Sequence, residues 1–115
     1  MDRTDPRYLE AVSQVRADPC SRFCFVSGQA VPAGGGDPHH VLPVSIYPEY
    51  AYTKENIVIV NRIPHHTLDQ GTAEQIAKLP KIHNLLARMR SLDQRYYEQF
   101  KSKLLPWMHF ANGWD

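Results

Sequence analysis

Four of the chain's six histidines fall within 28 residues, as the pairs His39-His40 and His65-His66, with Asn56 between them. Histidine changes its charge near neutral pH, so it can accept a proton or give a nitrogen lone pair to a divalent metal. Asp69 stands four residues after His65, and on a helix the two share a face, while His66 is turned away by about 100°. Neighbours on a strand point to opposite sides, so His39 and His40 must divide their work. His39, His65 and Asp69 then read as ligands around one divalent cation, with His40 beside them as a base. His66 paired with Gln70 is a second ligand arrangement, ranked lower because an amide is a poor ligand for a catalytic divalent ion. The chemistry this set suits is phosphodiester hydrolysis. A neutral histidine activates water, and a metal with open positions neutralises the phosphate and helps the leaving oxygen.

These residues need elements to hold them. Asp5 to Ala17 reads as a helix capped by Asp5, with Pro6 in its first turn and Tyr8, Val12 and Val15 on one face. Phe23 to Val26 is a short apolar run with strand character, followed by a turn at Ser27-Gly28. Pro32 to Asp37 is glycine-rich but lacks the Lys-Ser or Lys-Thr of a phosphate-binding loop, and reads as a flexible turn. His39 to Val44 is expected to be a strand. Asn56 to Val60 is the clearest strand in the chain, dense in β-branched residues. Pro64 opens a short helix through His65, His66 and Asp69, closed by Gly71. Thr72 begins another, with Gln75 as its capping-box partner. Beyond Pro80, Ile82, Leu85, Leu86, Met89, Leu92, Tyr96, Phe100 and Leu104 recur at helical spacing, which predicts one amphipathic helix of about six turns. Trp107 to Asp115 is an aromatic tail.

The 115 residues, with 43% hydrophobic and 22% charged side chains, predict a single domain. No apolar run approaches the ~18 residues of a membrane span, and Met1-Asp2-Arg3-Thr4-Asp5 does not open a secretory signal, so a cytoplasmic location is expected. Cys20 and Cys24 make no disulfide framework. They read as reduced thiols, the competing reading being half of a zinc site completed by His83 or His109. The net charge is only +1, yet from Lys78 to Lys103 seven Lys or Arg stand against two acids. That excess could track phosphates or be a solvated helix face. Tyr47, Tyr50 and Tyr52 read as residues that pin a loop to the core.

The segments Asp37-Pro38-His39-His40-Val41-Leu42-Pro43, Asn56-Ile57-Val58 and His65-His66-Thr67-Leu68-Asp69-Gln70-Gly71 together resemble the signature of the HNH endonucleases, a family that includes phage nucleases and colicin-type DNases. The resemblance covers roughly Cys24 to Gly71. It implies an α+β fold with a ββα-metal finger at about 37–71 and a helical extension at 72–105. It also implies that His39 is the first metal ligand, His40 the general base, His65 the second ligand on the helix, and Asn56 the residue that fixes the inter-strand loop and so orients the base. Asp69 falls where the family often has a histidine. A carboxylate there favours Mg2+ or Mn2+ over Ni2+ or Zn2+. The paired-cysteine knuckle of many relatives is missing, and Cys24-Phe25-Val26-Ser27-Gly28 looks like its remnant.

The implied activity is nicking of double-stranded DNA, with Arg62, His66, Arg88 and Arg95 as candidate phosphate contacts. Two other classes compete. One is a non-catalytic DNA-binding or packaging accessory that keeps the fold, against which the presence of His40 argues. The other is a two-histidine, one-carboxylate iron enzyme, which needs a larger β-scaffold than this chain offers. Monomer or homodimer, and any place beside phage packaging machinery, are open at this level.

Overall fold

The computed structural model describes residues 1–108. The fold is mixed α+β, with five α-helices and one two-stranded antiparallel sheet among the described residues. Helix α1 (Pro6–Ala17) starts where Asp5 accepts from the Arg7 backbone N–H, with proline at the first position, where no N–H is needed. Strands β1 (Asp37–His40) and β2 (Ile57–Val60) pair in the register Asp37 with Val60, Pro38 with Ile59, His39 with Val58 and His40 with Ile57. Helix α2 (Arg62–Gln70) follows β2 after the single residue Asn61.

The sheet separates two apolar clusters. Val58 and Val60 belong to the larger one, with Cys24, Val26, Leu42, Leu85, Leu86 and Met89. Ile57 belongs to the smaller one, beneath Tyr8 and Ala11 of α1. All four residues of β2 are therefore buried, which explains a continuous β-branched run in place of an alternating one.

Several expectations need correction. Helix α2 opens at Arg62, two residues before Pro64, and β2 begins at Ile57, with Asn56 ending a short 3-10 turn before it. The strand expected over His39 to Val44 ends at His40, because the side chain of buried Asn56 takes the place of a paired backbone. Its Oδ1 accepts from Leu42 N–H at 2.7 Å and its Nδ2 donates to Leu42 C=O at 3.1 Å. The run Phe23 to Val26 forms only a single bridge, Phe23 to Ala30. The long C-terminal helix is two helices, α4 (Ile82–Leu92) and α5 (Gln94–Leu104), after the short α3 (Ala73–Ala77). Asp93 divides them. Its backbone is extended (φ −157°) and its side chain accepts from Tyr96 N–H at 2.8 Å, so it caps α5. Helix α3 does carry the reciprocal Thr72–Gln75 capping box.

Tyr47 and Tyr50 pack against the larger cluster and Tyr52 against the smaller, so the loop between the strands is pinned by its tyrosines. The Gly-rich segment is a formed turn: Gly35 N–H donates to Pro32 C=O at 2.8 Å, and Gly34 and Gly36 have φ of +70° and +78°. Among the described residues, no helix is long and apolar enough to cross a membrane. The tail beyond Met108, including His109, lies outside the described residues.

Candidate metal centre

Strand parity separates the first histidine pair. His39 shares its face of the sheet with Asp37 and meets His65 of α2 edge to face, ring centroids 5.3 Å apart. His40 turns to the other face, where its ring lies 5.8 Å from that of Tyr8 in α1. On α2, His65 and Asp69 stand one turn apart and face β1, while His66 is exposed.

His39, His65 and Asp69 each offer one ligand atom, and those atoms all lie within 4.8 Å of one another. It is the one such group of His, Cys, Asp or Glu among the described residues. His65 Nδ1 lies 3.0 Å from Asp37 Oδ2. A carboxylate only accepts, so Nδ1–H donates, which leaves Nε2 to give its lone pair to a cation or to share a proton with Asp69. That Nε2 faces Asp69 Oδ2 at 3.3 Å, and Asp69 Oδ1 is 3.9 Å from His39 Nδ1. Two acceptors facing each other at such a distance repel unless a cation or a proton lies between them. By residue type the group is one that could hold a small divalent ion: two imidazoles, one half-exposed carboxylate, and a second carboxylate that accepts the Nδ1–H of one imidazole.

The electrostatics agree with ligand duty for His39. Burial, and next the neighbouring His65, push its pKa down to about 4, with Asp69 opposing. It is neutral at pH 7. His40 is also pushed below the usual imidazole value by burial, offset in part by the Ala51 carbonyl. Its Nε2 lies 3.0 Å from that carbonyl oxygen, so Nε2–H donates and Nδ1 is left with the lone pair.

Asn56 is fully buried. Besides clamping Leu42, its Nδ2 donates to Tyr50 C=O at 3.3 Å, and the next carbonyl along, that of Ala51, is the one that holds His40. The start of α2 is fixed by Asn61, whose backbone N–H donates to the Cys24 sulfur at 3.3 Å and whose Nδ2 donates to Ala30 C=O at 3.2 Å. Cys24 thus braces the helix through a hydrogen bond, and Cys20 is exposed.

The candidate phosphate contacts divide. Arg62 opens α2 with its side chain 88% exposed, 3.8 Å from Asp37 Oδ1. A cleft of about 520 Å3 adjoins it, lined by Pro32, Gly35, Asp37, Arg62 and Ile63 among others. His66 is exposed on the same helix. Arg88 of α4 is engaged elsewhere, donating to Glu55 C=O at 2.8 Å and stacking over Phe25. Arg95 is exposed on α5. A second cavity, about 420 Å3 between α1 and α4 and lined by Val15, Phe25, Ile57 and Arg88, contains none of the cluster residues.

Sequence reasoning gave Asp37 no role, although it stands in the quoted motif. Its signal was its parity with His39, two residues along one strand. No family model matches this chain, and neither the curated proteins nor the solved structures contain a match to it.

Proposed function

We propose that this chain is a metal-dependent DNA endonuclease of the HNH type, with β1, β2 and α2 as a ββα-metal finger. The observation that carries the reading is the convergence of His39, His65 and Asp69, with the far nitrogen of His65 already held by Asp37. Those three residues would hold one divalent cation, with Mg2+ or Mn2+ favoured by the carboxylate. When bound, the cation supplies charge neutralisation at the scissile phosphate and assistance to the leaving 3′-oxygen.

His40 has the properties of a base. Its Nε2–H is committed to Ala51 C=O, burial keeps it neutral, and Nδ1 is the acceptor. In hydrolysis the water oxygen bonds to phosphorus, the bond from phosphorus to the 3′-oxygen breaks, and the water proton passes to His40 Nδ1. Asn56 keeps Ala51 in place for this through its bond to Tyr50. Arg62, exposed beside the cleft, holds a flanking phosphate. One such site cuts one strand, so a monomer nicks duplex DNA.

The two-histidine, one-carboxylate set is also the ligand type of non-haem iron oxygenases. The described sheet is two strands of four residues each, and that small scaffold disfavours the reading. The test is relaxation of supercoiled plasmid with Mg2+, Mn2+, Ni2+ or Zn2+ added singly, against EDTA controls. Metal-dependent nicking is expected. Folded, metal-binding protein that cuts with none of them would overturn the enzyme and leave a DNA-binding accessory.

A further inference from the structure

Arg16 lies at the exposed C-terminal end of α1, twenty-one residues before Asp37. Its guanidinium reaches the glycine turn. Nη1 donates to Gly35 C=O at 2.8 Å and Nη2 to Gly36 C=O at 3.1 Å. A planar fork of donors suits two successive carbonyls in a way that a single ammonium does not.

The turn needs such a hold. Three successive glycines have no side chains to anchor them and lose more freedom on ordering than other residues. Gly36 is also committed to its place. It has φ +78°, and a Cβ there would lie 2.6 Å from Ile59 Cγ2 and 2.8 Å from Val31 Cγ1. The residue that follows is Asp37, whose carboxylate accepts from His65 Nδ1–H.

We infer that Arg16 is a positioning residue for the metal centre: by holding the Gly35 and Gly36 carbonyls it sets the Asp37 carboxylate, which sets the tautomer and aim of His65. The chain of contacts runs from α1, across the turn, into β1 and on to α2. The inference rests on the metal-site reading only for its effect on affinity, since its effect on His65 belongs to the metal-free protein.

The experiment uses the full chain with Arg16→Ala and Arg16→Lys. The first readout is the ring-nitrogen NMR shifts of His65 at pH 8 in metal-free protein. The second is Mn2+ affinity by calorimetry, with circular dichroism as the check on folding. In wild type the Nδ1 shift of His65 should report a bound proton, held by Asp37. Arg16→Ala should move the Nδ1 shift toward that of a nitrogen that has lost its proton and weaken Mn2+ binding about tenfold, the lower end of what loss of a ligand's outer partner does. Arg16→Lys, which keeps one donor group, should recover part of both. Wild-type shifts in Arg16→Ala, with or without a fall in Tm, would overturn the inference and leave Arg16 as a brace of the fold. If wild type binds no Mn2+, the proposed metal centre fails, and the nitrogen shifts still decide for or against Arg16.

Discussion

Asp37 and His65, 28 residues apart in the chain, meet at 3.0 Å through Oδ2 and Nδ1. That contact turns His65 Nε2 toward Asp69 and gives the cluster its direction. It also joins the first strand to the helix across the site, so whatever disturbs β1 is felt at α2.

Metal affinity follows from this pair. His65→Ala removes a proposed ligand and should weaken Mn2+ binding severely. Asp37→Asn leaves every ligand in place but replaces a charged acceptor by an amide, and should cost about 10- to 100-fold in affinity. Calorimetric titration checks both. Full affinity in His65→Ala would transfer the ligand role to His66, and full affinity in Asp37→Asn would make the Asp37 contact incidental.

Stability should fall in mild acid. His39 titrates near 4 in the folded protein, mainly through burial, against about 6.5 in an unfolded chain. Between these values the unfolded state binds a proton that the folded state does not. The stabilisation is therefore complete above about pH 6.5 and is lost as pH drops toward 4, amounting to about 3 kcal/mol over the window. His40, shifted the same way by burial, adds to the loss. Urea denaturation of metal-free protein at pH 7 and pH 4.5 measures it. The loss should shrink in His39→Asn, and an unchanged loss would locate the titrating group elsewhere.

Asn56 is fully buried and holds three backbone groups. Asn56→Ala should destabilise by about 2–3 kcal/mol, the cost of leaving buried partners unpaired. Asn56→Asp should be worse, because it puts an oxygen against the Leu42 and Tyr50 carbonyls where an N–H2 stood. Denaturant midpoints decide the order. An aspartate variant as stable as wild type would contradict the assigned amide orientation.

The legible parts of this molecule were those written at short range. Asp5 before Pro6, Thr72 three before Gln75, and the β-branched run ending at Val60 each announce an element through neighbours in sequence. His65 and Asp69 share a helix face, and parity separates His39 from His40, so the cluster could be assembled on paper. The bonds from Asp37 to His65, Arg16 to Gly35 and Cys24 to Asn61 depend on tertiary folding, and no periodicity encodes them. The break at Asp93 was hidden for a different reason. Leu92 and Tyr96 keep the helical spacing across it, so the apolar stripe continues while the backbone does not. The cap signal, an aspartate with its acceptor aimed at Tyr96 N–H, was present and was outweighed by the stripe.

The measurement that bears most directly on the account is single-turnover nicking of supercoiled plasmid by His40→Ala at saturating Mn2+, with Mn2+ affinity measured on the same sample. His40, next to His39 at the end of β1, is outside the clustered ligand set and has its Nε2–H committed to Ala51, so the proposal gives it the proton and no part of the metal. Nicking should fall by about 10²–10⁴-fold, the usual worth of a general base, while Mn2+ affinity stays within about twofold of wild type. Wild-type cleavage in this variant, or joint loss of metal and cleavage, would contradict the division of labour between His39 and His40.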